Sequence, residues 1–197
     1  MSPAESHLPT RPGGLIVVSG PSGSGKSTLV HQLLADADFP IRFSVSATSR
    51  PPRPGEVEGV DYFFVSADRF EAMRQAGELL ESASVHGNLY GTPRGPIEEA
   101  IRSGQWILLE IDVQGYRQIK NLLPGAVGFF IRAGSRDTYA DRLKQRNTES
   151  DEQLQTRLDN VAVELQSASE YDFQIVNDDI QQALRTWKTL LRGLANR

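Results

Sequence analysis

The stretch Gly20-Pro21-Ser22-Gly23-Ser24-Gly25-Lys26-Ser27, GPSGSGKS in one-letter code, decides how the rest of the chain is read. It fits the pattern G-x-x-x-x-G-K-[ST], a glycine loop that wraps phosphate. Before it, Leu15-Ile16-Val17-Val18 is a short apolar run rich in β-branched residues and reads as a buried strand. After it, Thr28-Leu29-Val30-His31-Gln32-Leu33-Leu34 has helical spacing, with Leu29, Leu33 and Leu34 on one face. Strand, loop and helix are the context the motif requires, which a chance glycine turn would lack. Glycines let the backbone turn tightly and aim N–H groups at an anion beside a positive helix end. Lys26 adds a point charge for the β- and γ-phosphates, and the Ser27 hydroxyl can ligate Mg2+. The stretch implies a bound nucleoside triphosphate and leaves open what is done with it.

The chain has 197 residues, enough for one domain with a sizeable core. Its 39% hydrophobic and 23% charged residues are those of an ordinary soluble protein. A net charge of −4 supplies no basic field for nucleic acid or a membrane surface. No apolar run is long enough to span a bilayer. The absence of cysteine excludes disulfides and thiol–metal sites and fits a reducing, cytoplasmic setting. Residues 1–12 hold three prolines and no apolar core, so they are expected to be a mobile tail and not a signal peptide.

Further along, strands are expected at Ile41 to Val45, Asp61 to Val65, Trp106 to Asp112, Val127 to Ile131 and Phe173 to Val176. Helices are expected at Ser66 to Ala76, with Phe70 and Met73 on one side, and at Pro93 to Ser103, with a proline in the first turn. More are expected at Ser135 to Arg146, with Tyr139 and Leu143 inward, and at Ile180 to Leu194. Ser150-x-x-Gln153 reads as a capping box opening a helix to about Ser169. The alternation predicts an α/β fold, a parallel sheet covered by helices on both faces. The segment from about 48 to 100 interrupts it and reads as an inserted subdomain; residues 77 to 91 within it have no clear pattern.

Three constellations carry chemistry. Glu110 and Asp112 end an apolar strand; two apart, they are expected on one face, where Asp112 would help hold Mg2+ directly or through water. Arg50 and Arg53 lie on a proline-stiffened loop, and two guanidinium forks suit a phosphate monoester. Alone, such a loop reads as a solvated basic surface. The third set is Asp61-Tyr62, Glu81 and Gly87-Asn88-Leu89-Tyr90-Gly91-Thr92. Tyrosine hydroxyls donate to phosphate without adding charge. A carboxylate accepts two hydrogen bonds from one planar partner, which guanine offers through N1–H and its amine and adenine does not. By spacing alone, Glu81 reads as a surface acid.

Together the runs GPSGSGKST, FSVSATSRPPRPGEVEGVDYFF, GNLYGTP, ILLEIDVQG and IVNDD resemble guanylate kinase, a nucleoside monophosphate kinase of the phosphate-loop class. The similarity covers nearly all of the chain from Gly14 onward. It implies transfer of the γ-phosphoryl of ATP to GMP, and to dGMP, in purine nucleotide metabolism, with Mg2+ accompanying ATP. It implies ATP phosphates on Gly20, Pro21, Ser22, Gly23, Ser24, Gly25, Lys26, Ser27 and Thr28, with Asn177 near the adenine. It implies a GMP base read by Ser46, Glu81 and Thr92 with Asp112 nearby, and a GMP phosphate held by Arg50, Arg53, Tyr62 and Tyr90. Arg142, Arg146 and Arg157 match the family's lid arginines. Lys26, Arg50 and these three are the expected catalytic set. The resemblance makes residues 48–100 a GMP-binding subdomain and 137–158 a lid, on a core of 14–47, 101–136 and 159–197. Both moving parts are expected to close and exclude water.

The sequence departs from the family at Asn147, where glycine is usual, and at Leu89, where an aromatic is common. His31 and His86 have no partner acids at useful spacing and read as structural. A rival is a non-catalytic guanylate-kinase-like binding module, which typically has a degraded phosphate loop; Lys26 and Ser27 argue against it. A second rival is a phosphate-loop kinase for another acceptor, against which Ser46, Glu81 and Thr92 speak. The expected partners are small molecules, with no nucleic acid or membrane; a homo-oligomer is compatible with a family ranging from monomers to larger assemblies.

Overall fold

The computed structural model describes residues 13–36, 39, 41–85, 87–144 and 151–195. The expected tail over 1–12, His86, Arg146, Asn147 and Ser150 lie outside the described residues. The chain runs β1 (Leu15–Ser19), α1 (Lys26–Leu34), β2 (Ile41–Phe43), β3 (Ser46–Thr48), β4 (Tyr62–Phe64) and α2 (Ala67–Gln75). It continues through β5 (Leu79–Val85), β6 (Asn88–Pro93), α3 (Arg94–Arg102), β7 (Trp106–Glu110), α4 (Val113–Leu122) and β8 (Val127–Arg132). It closes with α5 (Arg136–Lys144), α6 (Asp151–Leu165), a 3-10 turn (Gln166–Glu170), β9 (Phe173–Val176) and α7 (Ile180–Ala195).

The fold is α/β, as the alternation predicts, with a parallel sheet flanked by helices. Its strand order is β2-β7-β1-β8-β9. All five residues of β1 and the centre of β7, Ile107 to Leu109, are buried. That explains why both strands read as continuous apolar runs without polar alternation. A second sheet has the order β4-β3-β6-β5, with β3 and β4 parallel and β6 antiparallel to both of its neighbours.

The packing divides the chain into two compact units. One comprises Val18–Ile41 and Val127–Arg197. There α1 buries Leu29, Val30 and Leu33, and α7 buries Ala183, Trp187 and Leu191. Phe129 of β8 lies 5.1 Å from the Phe173 ring and 5.6 Å from Trp187. Tyr139 and Leu143 of α5 pack on Leu158 and Val161 of α6, on the inward side that their spacing predicts. The other unit comprises Pro12–Val17 and Arg42–Ala126. Phe70 and Met73 of α2 pack there with Ala47 and Leu79, again the expected face. Ser66 starts α2 by accepting the Arg69 N–H at 3.1 Å.

Four segments differ from the sequence expectation. Ile41 to Val45 is not one strand: β2 ends at Phe43, the Ser44 N–H donates to Leu108 O at 3.0 Å, and the chain changes sheets before β3. Residues 79–85 and 88–93 form the antiparallel pair β5 and β6, held by cross-strand pairing rather than by any apolar run. Residues 113–122 form α4, unannounced because Gly115 weakens the helical pattern, although Val113, Tyr116 and Ile119 are buried along it. The helix expected to reach Ser169 ends as an α-helix at Leu165 and tightens into the 3-10 turn.

Candidate functional site

β1 delivers the chain into the phosphate loop, and α1 of the first unit starts at Lys26. Gly25 is the N-cap, with φ 78°, and no side chain caps the helix. A helix start without a side-chain cap aims its first N–H groups at whatever anion binds there. Lys26 is half-buried, and Ser27 and Thr28 are exposed in the first turn. The loop closes on itself through the Ser24 N–H donating to Pro21 O at 3.1 Å.

Two side chains from distant segments support this loop. The Asn177 amide donates to Ser24 O at 2.9 Å. Arg142 donates to Asn177 O at 2.7 Å and more weakly to Ser24 O and Gly23 O at 3.3 and 3.4 Å. Both residues therefore stand at the phosphate loop, and the bonds they make to it are to its backbone carbonyls. Arg157 is half-buried in α6. Arg146, another of the expected lid arginines, lies outside the described residues.

In the second unit, Glu81 is only 5% exposed, against its reading from spacing as a surface acid. The reason is in the strand. The β5–β6 register shifts between Leu79 and Glu81, so strict alternation breaks and Leu79, Leu80 and Glu81 are all buried. The Thr92 hydroxyl donates to Glu81 Oε1 at 2.7 Å. A Cβ on Gly115 would lie 2.6 Å from Oε2, so only glycine lets α4 approach this closely. Burial, opposed by the Thr92 hydroxyl and reinforced by the charge of Asp112, pushes the Glu81 carboxyl up to about 7. Gln118 of α4 pairs with the Ser82 main chain in both directions, accepting at 3.2 Å and donating at 2.8 Å, and holds β5 against the helix.

Asp112 is not a strand residue. The strand stops at Glu110, and Asp112 is the N-cap of α4, its Oδ1 accepting the Gly115 N–H at 2.8 Å. Strand alternation therefore does not set Glu110 and Asp112 on one face. Asp112 instead orients the turn that carries Gly115 under Glu81. Glu110 lies near Tyr62, whose phenol is held above its ordinary value by burial first and by the Glu110 charge second.

The two-arginine loop is ordered by a carboxylate with no role in the sequence reading. Arg50 is 7% exposed, and its two terminal nitrogens donate to Glu56 Oε2 and Oε1 at 2.6 and 2.7 Å. The Arg53 N–H also donates to Glu56, at 2.8 Å. Arg50 lies over the Tyr62 ring at 4.9 Å, and Tyr90 meets Tyr62 edge-on at 6.0 Å. The Arg50 hydrogen bonds hold Glu56 down to about 2 and keep the guanidinium charged. The fork thus grips the two oxygens of a carboxylate, and a phosphate offers the same fork a pair of oxygens. Arg50 Nε is buried without a partner among the described residues. Ser46 faces Tyr62 across the β3–β4 register. Leu89 holds this region through its main chain: its carbonyl accepts from Thr48 Oγ1 and Ser49 N–H, and its N–H donates to Ser49 Oγ. The departure from an aromatic at this position leaves those bonds unchanged.

The structure thus gathers Arg50, Tyr62 and Tyr90 in one cluster and Glu81, Thr92 and Asp112 in another. Glu56, Gly115 and Gln118 were missed. Glu56 lies three residues after Arg53 across a proline–glycine turn, a spacing that gives the only local hint. Nothing local marks Gly115 or Gln118.

A family model described as guanylate kinase matches residues 13–194. The chain is 48% identical to a guanylate kinase of Fusobacterium nucleatum over 87% of this chain and 91% of that one. It is 46% identical to a guanylate kinase of Thermosynechococcus vestitus over 92% and 94%. The crystal structure of guanylate kinase from Anaplasma phagocytophilum superposes with a TM-score of 0.78 at 32% identity, covering 98% of this chain and 90% of that one.

Proposed function

The chain belongs to the guanylate kinase family, and from that membership we propose which of its residues hold each nucleotide. It is an ATP:GMP phosphotransferase, moving the γ-phosphoryl of ATP to GMP to give ADP and GDP. The buried carboxylate of Glu81, paired with Thr92, is the observation that carries the assignment of the acceptor site.

Guanine is read by Glu81, Thr92 and Ser46, with Asp112 adding charge beside Glu81. Guanine N1–H and its amine give an ionised Glu81 two donors. Adenine brings an acceptor to the same edge and leaves the buried carboxylate unsatisfied, which disfavours it by about 4 kcal/mol or more. Arg50, Arg53, Tyr62 and Tyr90 hold the GMP phosphate, with the bidentate grip on Glu56 as support for Arg50. Gly20 to Thr28 cradle the ATP phosphates, and Asn177 belongs to the same ATP-binding set. Lys26 follows the γ-phosphoryl as it moves. Arg142, Arg146 and Arg157 offset charge on the transferring group. The attacking oxygen belongs to a phosphate already anionic at neutral pH, so no general base is needed and catalysis is positioning plus charge stabilisation.

Mg2+, bound with ATP, would offset the charge of the phosphates. Among the described residues no group of three His, Cys, Asp or Glu is placed to hold a metal alone. The exposed Ser27 hydroxyl in the first turn of α1 is a hard oxygen donor of the kind a metal carried by phosphates needs. Asp112, whose Oδ1 caps α4 on the Gly115 N–H, would add a contact through water. Residues 48–100 form the GMP-binding subdomain and 137–158 the lid, with the core in 14–47, 101–136 and 159–197. No helix among the described residues is long and apolar enough to cross a membrane, and a cytoplasmic setting suits both substrates. An assay of ADP release with ATP and GMP tests the site: Lys26→Ala should lose nearly all turnover while staying folded, and near-normal turnover would remove Lys26 from its role.

A further inference from the structure

We infer that Asn177 is a positioning residue for the triphosphate, holding the Ser24–Gly25 peptide so that the Gly25 N–H is presented to phosphate. This rests on the reading of Gly20 to Ser27 as the triphosphate loop. Asn177 follows β9 and is only 3% exposed. Its main chain is fixed on both sides, the N–H donating to Arg132 O at 2.8 Å and the carbonyl accepting from Arg142 at 2.7 Å. From that fixed post its side-chain Nδ2 donates to Ser24 O at 2.9 Å, and Arg142 adds a longer bond to the same carbonyl.

A peptide is planar and trans, so a carbonyl captured on one side aims the following N–H the opposite way. The N–H that follows Ser24 O is that of Gly25, the N-cap of α1. The Ser24 N–H is already used by Pro21 O and does not compete. Gly25 suits this arrangement twice: its φ is 78°, and a Cβ there would collide with Asn177 Nδ2. Asn177 therefore acts on phosphate through the backbone. Its Oδ1 has no hydrogen-bond partner among the described residues, so a direct contact to the adenine is a separate role that one isosteric change can distinguish.

Asn177→Asp keeps the shape and an acceptor oxygen but sets a carboxylate against Ser24 O; Asn177→Ser removes the amide. Binding of ATP and of inorganic tripolyphosphate, which has no base, is measured for wild type and both variants. Both ligands should weaken by the same factor, about 10-fold or more, as loss of one well-placed hydrogen bond predicts, with GMP binding unchanged. ATP weakened with tripolyphosphate unaffected would make Asn177 a base reader and overturn the inference, as would no change in either. Wild type binding neither ligand would overturn the reading of the loop itself and the inference with it. If neither variant folds, amide NMR of the wild type decides: the Gly25 N–H should shift downfield on adding tripolyphosphate, and an unmoved Gly25 resonance overturns the proposal.

Discussion

Gly115 and Glu81 are in contact: a Cβ on the glycine would stand 2.6 Å from the Oε2 of the carboxylate. The helix that Asp112 caps is thereby the floor beneath the Glu81 carboxylate. Gly115→Ala should push the carboxylate off its position against Thr92. KM for GMP should rise about 10-fold or more while KM for ATP stays the same, since lost alignment of charged hydrogen bonds is worth about 1.5–3 kcal/mol. An unchanged KM for GMP would show that Glu81 does not read the base.

Glu81 also makes stability depend on pH. Its carboxyl titrates at 4.5 ordinarily and at about 7 in the fold. The folded state holds the proton more tightly than the unfolded state, so this group lowers stability as pH rises from about 4.5 through 7. Glu81→Gln should therefore gain about 3 kcal/mol over wild type at pH 8 and little at pH 4, read from urea unfolding at both. A gain equal at both pH values would refute the cause. The same variant should lose GMP use. In wild type, KM for GMP should rise as pH falls below 7, because the neutral carboxyl accepts poorly from both guanine donors.

Arg50 grips Glu56 with both terminal nitrogens and lies over Tyr62. Arg50→Lys keeps the charge but loses the fork and the flat face. KM for GMP should rise at least about 10-fold, since charge-assisted pairs of this kind are worth about 1.5–3 kcal/mol. Guanosine, which has no phosphate, should inhibit wild type and variant equally. If guanosine binding falls as far as GMP binding, Arg50 supports the base pocket rather than the phosphate.

The phosphate loop was legible because everything it needs is local: a buried strand, three glycines and a helix start within twenty residues of sequence. The inward faces of α2 and α5 were legible for the same reason. Glu81 was not. Its burial comes from a register shift in β5, from Thr92 eleven residues on, and from Gly115 on a helix whose own glycine disguised it. Glu56 was hidden differently: an acid in a loop rich in Pro and Gly looks solvated until two guanidinium nitrogens are seen on it. Arg142 reads from the resemblance as a lid arginine, and no sequence spacing could show its bonds to loop carbonyls more than a hundred residues away.

The acceptor preference of the wild-type protein tests the central claim most directly. ADP release should be measured with ATP and, in turn, GMP, dGMP, AMP, CMP and UMP at equal concentrations. Release with GMP and dGMP, and with AMP at least about 10³-fold slower, is the result predicted for a buried carboxylate that must be paired. AMP phosphorylated at a rate comparable to GMP would contradict the assignment of Glu81 and the acceptor site built around it.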